Sequence, residues 1–317
     1  MNNPRLVPTI LLLSALAFTT GTALGAANLP DGTERVLNGH GFIPSNFLGD
    51  PFVGTYFANQ VGGGLAIGVE TPLRDLDGNT LATVEGDLLY GVLGLEYQQN
   101  LGSVFAVGIR GAGVGRTGTS AQSFIAEGAD LRTEKFIWGK WRAVRSNSVQ
   151  AALGLNWGYR TGTFFTPREF AQHIADGGDL GDAPIVTEDK SWETSVAYDV
   201  AWAVSPMFGL RLSGNSGIYE APGSDSATQW LNRWGLLGSL DLNQTRNLPL
   251  GFTLGYFWGT PENEPPTALR GLLLGFWYTG ETDLQLGVEM GLLKTQFLGT
   301  DEDVDGQFAI LTTRYYF

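Results

Sequence analysis

The chain has 317 residues and a formal net charge of −13, and it contains 45 glycines and 37 aromatic residues (9 Trp, 10 Tyr and 18 Phe) but no cysteine. The missing cysteines exclude disulfides, thiolate metal sites and a lipid anchor on cysteine. An acidic chain lacks the basic face that nucleic-acid phosphates require, so no nucleic-acid partner is expected.

The amino end, residues 1–27, has the pattern of a secretory signal peptide. One positive charge, Arg5, precedes a mostly apolar run and then a zone of small residues. Cleavage after Gly25 and cleavage after Ala27 fit this zone equally well. The apolar run is shorter than the roughly 20 residues of a spanning helix, so we expect the segment to be removed.

Residues 28–61 form an irregular segment, rich in proline and glycine, with Phe42, Phe47 and Phe52 distributed along it. It could be a tail outside the folded body, a plug inside it, or an additional pair of strands. Aromatic side chains favour burial, so a segment tucked into or under the rest of the chain is the preferred interpretation.

From residue 62 to the carboxyl end, segments with period-2 alternation follow one another between turn residues. In 149–160, for example, Leu153, Leu155 and Trp157 share one face and Arg160 lies on the other, as expected of a strand between lipid and water. We place strands at 62–71, 86–99, 103–116, 130–144, 148–161, 190–204, 207–219, 229–243, 249–258, 268–279, 283–297 and 306–317.

The connections between these strands alternate in length. Short turns are predicted near 100–102, 145–147, 205–206, 244–248 and 280–282, and longer, acidic connections near 72–85, 117–129, 162–189, 220–228, 259–267 and 298–305. Membrane-spanning barrels have short turns at one end and longer loops at the other, whereas a soluble β-sandwich has no reason to follow this rule.

The last eleven residues, QFAILTTRYYF, place Tyr315 and Phe317 on one apolar strand face. This ending resembles the closing strand of Gram-negative outer-membrane β-barrels of the porin and channel type, in which the terminal aromatic is the signal for the barrel-assembly machinery. The resemblance implies a transmembrane, antiparallel, up-and-down β-barrel of about twelve strands, formed by 62–317 and located in the outer membrane. Its surroundings would be outer-membrane lipids and lipopolysaccharide.

An arginine or lysine facing lipid at mid-bilayer would cost roughly 2–4 kcal/mol, so the charged strand residues should point inward. They could line an aqueous path that favours small anions, or they could pair with one another across a filled interior. The expected pore-lining residues are Arg110, Arg132, Lys140, Arg142, Arg160, Arg211, Arg233, Glu193, Asp199 and Glu289, with Arg314, Glu96, Glu134 and Asp241 on the same faces.

Within the longest connection, residues 166–169 (TPRE) have a capping-box pattern with proline at the first helical position. The short helix that follows could fold into the lumen as a constriction loop, or it could rest outside as a lid. The residues that would act there are Phe170, His173, Asp176, Asp179 and Asp182.

Motifs for metal binding and catalysis are weak. Asp301, Asp303 and Asp305 open a calcium-loop pattern, but Thr312 stands where an EF-hand requires glutamate, so at most weakly bound Ca²⁺ is expected at an outer loop. The two histidines, His40 and His173, lack a recognisable catalytic neighbourhood, so neither an enzyme nor a cofactor is expected.

We therefore predict an outer-membrane channel for passive diffusion of small solutes, with a preference for anions. Two alternatives remain open at this stage. One is a closed structural or surface-binding barrel without transport, and the other is a channel for hydrophobic compounds in which residues 28–61 act as a plug.

Overall fold

The computed structural model describes residues 33–74, 80–165, 167, 170, 173–174, 177–179, 185–220, 228–261, 269–296 and 303–317. The predicted signal peptide therefore lies outside the described residues. Within them, no helix is both long enough and apolar enough to cross a membrane.

The chain begins with a 3-10 turn, Thr33–Arg35, and a small hairpin of β1 (Val36–Leu37) and β2 (His40–Gly41). The long strands are β3 (Tyr56–Arg74), β4 (Thr80–Asn100), β5 (Phe105–Gly118), β6 (Ala129–Arg145), β7 (Val149–Phe165), β8 (Val186–Ala203), β9 (Phe208–Glu220), β10 (Thr228–Asp241), β11 (Leu250–Pro261), β12 (Leu269–Tyr278), β13 (Leu284–Gln296) and β14 (Asp303–Tyr316). The short helices α1 (Ala121–Glu127) and α2 (Asn243–Arg246) lie in connections.

Strands β3 to β14 form one closed barrel in which each strand pairs with its sequence neighbours and β14 pairs with β3. All pairs are antiparallel, so the prediction of an up-and-down barrel of about twelve strands is confirmed. Closure leaves no strand edge unpaired, which is the condition for a sheet to cross a lipid bilayer.

The connections at one end, here called the turn end, contain three to eight residues, and those at the opposite loop end contain five to twenty. The strands reach further than their alternation predicted: β3 begins at Tyr56 and β4 at Thr80, so the connection expected at 72–85 shortens to 75–79. Turn residues mark where a strand can bend, but they do not show how far pairing continues past the membrane.

Large apolar side chains cover the outside of the barrel. Strand β12 exposes Leu272, Leu274 and Phe276 and buries Leu273 and Trp277 between them. Leu93, Leu155 and Trp157 are among the many other exposed apolar residues. An apolar exterior this extensive would be unstable in water and is stable against lipid.

The inward faces of β10 to β14 combine polar residues such as Glu289 and Arg314 with an apolar group, whereas only polar residues were expected to face the interior. Leu237, Phe257, Leu273, Phe308 and Ile310 pack there in one cluster. Leu48 of the N-terminal segment belongs to the same cluster. These strands therefore carry apolar residues on both faces, since one face meets lipid and part of the other meets a buried segment of the same chain.

The barrel closes where glycines of β3 lie against β14. Gly64 pairs with Phe308 on one side and Tyr90 on the other. The Tyr90 side chain crosses β3 and donates a hydrogen bond to the carbonyl oxygen of Gln307 at 2.8 Å. A Cβ on Gly64 would lie 2.0 Å from that carbonyl oxygen and 2.4 Å from the phenol ring, so this crossing requires glycine.

Candidate functional site

The N-terminal segment, residues 33–55, lies inside the barrel in the half nearest the turn end. Phe42, Ile43, Phe52 and Val53 are almost completely buried there. The side chain of Gln150 on β7 donates to the carbonyl oxygen of Pro51 at 2.7 Å. The segment therefore occupies the turn-end half of the lumen.

Asp50 is the electrostatic centre of the contact between the segment and the wall. Its carboxylate lies 2.6 Å from Nη1 of Arg35 in the same segment, 3.3 Å from Nη1 of Arg314 on β14 and 3.7 Å from Nζ of Lys140 on β6. Burial alone would raise the pKa of Asp50, but these cations together with Arg211 hold it well below its ordinary range. Asp50 therefore joins the segment to opposite sides of the wall as a carboxylate.

At a second contact between the segment and the wall, the negative charge belongs to the wall. Glu289 on β13 is completely buried, and its carboxylate accepts hydrogen bonds from Oγ of Ser45 at 2.7 Å and from the backbone N–H of Asn46 at 2.8 Å. Oδ1 of Asn46 also accepts from Oγ1 of Thr312 on β14 at 2.9 Å. Wall cations thus hold the segment at Asp50, and a wall carboxylate holds it at Ser45.

His40 is a buried, titratable residue of the docked segment. Its ring lies 2.8 Å, Nε2 to Oγ, from Ser239 on β10 and packs edge-on against Phe42. Burial lowers the pKa of His40 from 6.5 to about 4, and the nearby guanidinium of Arg211 acts in the same direction. The docked segment therefore requires the neutral ring.

We expect the stability contribution of neutral His40 to be complete above pH 6.5 and to fall as the pH decreases towards 4, by about 2 kcal/mol at pH 5. Protease cleavage of the segment should accelerate between pH 7 and pH 5 in the wild type. A His40→Gln variant, which keeps a polar partner for Ser239 and does not titrate, should lose this acceleration. Equal acceleration in the wild type and the variant would show that His40 is not the group whose protonation weakens docking.

Above the segment, a cavity of about 580 Å³ remains in the lumen. One side is apolar, with Phe47 and Leu48 of the segment as its floor and Phe257, Leu293 and Phe308 as its wall. Aromatic contacts join this floor to the wall, since the Phe47 ring lies 4.5 Å from Phe308 and 5.4 Å from Phe257, centroid to centroid.

The opposite side of the cavity is a row of alternating charges across β5 to β10. Glu134 lies 3.6 Å from Arg110 and 3.2 Å from Arg160, and Glu193 lies 2.9 Å from Arg160 and 3.1 Å from Arg233. Each carboxylate is thus shared between two arginines on neighbouring inward-facing positions. The pairing runs along the wall, which fixes the side chains without filling the space in front of them.

Replacing Glu193 by glutamine should destabilise the barrel by about 1–3 kcal/mol, because Arg160 and the half-exposed Arg233 lose the carboxylate that they share. The urea midpoint in detergent micelles measures the change. Glu188→Gln, on an exposed position of the same strand, is the matched control and should shift the midpoint little. Equal midpoints for the two variants would show that the row is not structural.

The structure separates the predicted pore-lining residues into three levels. Those that line the cavity are Arg110, Lys140, Arg160, Arg233, Glu193 and Asp199. Towards the loop end, Arg132 lies beside Asp130 and over the ring of Phe164. Towards the turn end, Arg142, Arg211 and Glu289 lie beside the N-terminal segment, with Glu34 as the charged neighbour of Arg142.

The proposed constriction loop is described only in part. Phe170 and His173 are helical, and Gly177, at a positive φ of 81°, donates its backbone N–H to the carbonyl oxygen of Ile174. Asp179 is exposed, whereas Asp176 and Asp182 lie outside the described residues. None of the described residues of this loop lines the cavity.

The weak calcium motif falls largely on a strand. Asp303 and Asp305 belong to β14, and Asp305 pairs with Lys294 at 3.2 Å, while Asp301 lies outside the described residues. Among the residues that the structure describes, no group of three or more His, Cys, Asp or Glu side chains could hold a metal ion. Weak Ca²⁺ binding at this loop stays a prediction.

Sequence reasoning expected Phe47 to be buried in a tucked-in segment, but it did not single out Leu48 or Asp50, which contact the wall beside it. Their sequence signal is an acidic residue among buried-type aromatics in an otherwise irregular stretch. Such a signal indicates burial but does not show which wall residues surround it.

No known protein family matches the sequence, and no curated protein matches it. Solved structures do match. An outer membrane channel from Pseudomonas putida F1 is 13% identical, with a TM-score of 0.51 over 87% of this chain and 100% of that chain. The β-domain of a Bordetella autotransporter is 9% identical, with a TM-score of 0.50 over 84% of this chain and 100% of that chain.

Identities this low show the fold. The closed antiparallel barrel, its apolar exterior and these structural likenesses define the chain as an outer-membrane β-barrel. This is the class that the closing strand with Tyr315 and Phe317 predicted, and both residues are exposed on the lipid-facing side. The turn end corresponds to the periplasmic side in this class.

Proposed function

We propose that the chain is an outer-membrane channel for small amphipathic solutes, closed at rest by its own N-terminal segment. The observation that carries this proposal is the cavity of about 580 Å³, in which an apolar wall faces a row of fixed charges directly above the segment. Binding sites for small molecules commonly combine apolar walls with a few placed polar groups. That a solved outer membrane channel shares the fold supports the channel role.

The balance of charge argues for a modest ion selectivity. The cavity lining contains five basic side chains, Arg110, Lys140, Arg160, Arg233 and Arg314, and five carboxylates, Asp50, Glu96, Glu134, Glu193 and Asp199. With equal numbers of each sign, the closed lumen has no net charge to concentrate anions. The predicted anion preference should therefore be weak in the wild type.

The apolar wall also sets this proposal apart from a pore for polar solutes in general. A solute with a small apolar body gains free energy against Phe257 and Leu293, at about 25 cal/mol for each Å² removed from water. A solute of the same charge without that body does not. We also propose two partners of the barrel itself. These are lipopolysaccharide around its exterior and the barrel-assembly machinery, which would bind the closing strand.

The proposal can be tested on a channel from which residues 33–50 are deleted, in planar bilayers, with benzoate and acetate as anions that differ in their apolar body. Benzoate should block single-channel current with dwell times about tenfold longer than those of acetate. In a Phe257→Gln variant, the dwell times of benzoate and acetate should differ less. Equal dwell times in a channel that conducts would instead indicate a pore for polar solutes.

A further inference from the structure

Three cations of the barrel wall surround Asp50, and one of them, Arg314, also lies 3.6 Å from the wall carboxylate of Glu96. Lys140 on β6, Arg211 on β9 and Arg314 on β14 surround this carboxylate, which belongs to the N-terminal segment and not to the wall. Arg35, the fourth cation, moves with the segment. Release of the segment would therefore leave three wall cations without the carboxylate that now lies between them.

Arg211 shows that this cationic group is not fully satisfied even when Asp50 is present. Its side chain is 1% exposed, and neither its Nε nor its two Nη atoms make a hydrogen bond with any described residue. Five N–H donors of a buried guanidinium normally find partners, because leaving them unpaired is costly. The site can thus accept an anion with more acceptor atoms, or closer contact, than Asp50 offers.

The cavity borders this site at Lys140 and Arg314, whereas the buried Arg211 lies behind them and is not part of the cavity lining. Asp50, Lys140 and Arg314 belong to its lining, next to Phe47 and Leu48. Gly49 lies against Asp199 and Ser213, where a Cβ would approach the Asp199 carboxylate to 2.5 Å. A solute in the cavity can therefore place a negative group near the cations while its apolar body contacts the phenylalanine wall.

We propose that Lys140, Arg211 and Arg314 form a carboxylate-binding site of the barrel wall, that Asp50 is its tethered occupant, and that a small apolar carboxylate displaces Asp50 and thereby releases the N-terminal segment. The proposal deepens the channel function above and rests on it. It identifies the solute class as monocarboxylates with a compact apolar body.

Asp50 and a free carboxylate compete for the same three cations. A tethered carboxylate acts at an effective concentration on the order of millimolar or above. A free carboxylate displaces it only if its apolar body adds binding free energy from the phenylalanine wall. Acetate should therefore fail to open the channel at concentrations at which benzoate opens it.

The test measures open probability of the full-length chain in planar bilayers with benzoate or with benzamide, its neutral isostere. Benzoate should raise the open probability of the wild type at least about tenfold, and benzamide should leave it unchanged. In Asp50→Asn, the channel should open without solute, by about 100-fold over the wild type, since removing one partner of a buried charge cluster is strongly destabilising. Benzoate should then cause no further opening.

Control variants distinguish a folding defect from a change in channel opening. Asp283→Asn makes the same chemical change at an exposed turn residue and should behave as the wild type. Lys140→Gln removes one cation of the site and should weaken the response to benzoate. Each variant is first checked for its heat-modifiable band in SDS gels, which reports a folded barrel.

Two results would overturn the proposal. One is an equal response to benzoate and benzamide, and the other is a folded Asp50→Asn channel that opens no more than the wild type. Failure of the channel function is distinguishable from both, because the chain lacking residues 33–50 would then give no current with any solute. If that deletion conducts but the wild type ignores benzoate, only the carboxylate site is wrong.

Discussion

Deletion of residues 33–50 is expected to turn a nearly silent barrel into a conducting one. These residues fill the turn-end half of the lumen, and the cavity above them ends on Phe47 and Leu48. A barrel of about eight strands is filled by its own side chains, whereas one of 16–18 strands contains an open channel, so twelve strands can enclose a path once the segment is removed. We expect conductance at least about tenfold above the wild type.

The matched control is deletion of 166–182, the loop that the sequence suggested as a constriction. If the N-terminal segment closes the channel, this second deletion should leave the conductance low. A folded chain that lacks residues 33–50 and remains silent, together with a conducting 166–182 deletion, would assign the closure to the loop instead.

The second large effect concerns the closing seam. Gly64→Val should prevent assembly of most of the protein, because its side chain would occupy the space of the Gln307 carbonyl oxygen and the Tyr90 ring. Moving either group opens the pairing of β14 with β3 or breaks the Tyr90 hydrogen bond. The heat-modifiable band should fall to about a tenth of the wild-type amount or less, since a forced backbone shift costs several kcal/mol.

Gly111→Val is the control for this change. Gly111 also lies in a barrel strand, but a Cβ there would meet nothing within 4 Å. Valine favours strands, so assembly should be as efficient as in the wild type or better. If both variants assembled equally well, the close approach at Gly64 would not be a requirement of the fold.

The lipid-facing side of the barrel could be predicted from the sequence because it depends on local pattern. In β7, Leu153, Leu155 and Trp157 alternate with smaller or polar residues, and at the end of β14, Tyr315 and the following Phe317 are both exposed. Period-2 alternation fixes which residues share a face, and the cost of charge in lipid fixes which face turns inward.

The docked segment could not be predicted in the same way, because its contacts join distant parts of the chain. Asp50 meets Arg314 across 264 positions, and Ser45 meets Glu289 across 244. The apolar residues on the inward faces of β10, β11, β12 and β14 follow from the same cause. Leu237 and Phe257 are inward because Leu48 packs against them, and no pattern within a single strand reveals that partner.

For the arginines, the sequence predicted the inward direction but not the ion pairs. Their inward direction followed from energy, but their pairing along the wall required the register of adjacent strands. Arg160 lies opposite Glu134 in the β6–β7 pair. Glu193 lies opposite Gly158, two residues before Arg160 on β7, in the β7–β8 pair. Arg160 can therefore reach both carboxylates. A shift of two residues in either strand pair would have produced a different set of ion pairs.

The most direct test of the central claim, that movement of the N-terminal segment opens the lumen, is a reversible lock. The chain has no cysteine, so Asn46→Cys with Thr312→Cys, at side chains now 2.9 Å apart, introduces one pair between segment and wall. We predict that the oxidised double variant gives no current in the presence of benzoate and that reduction in the same bilayer restores openings. A fully oxidised variant that conducts as well as the reduced one would contradict the account.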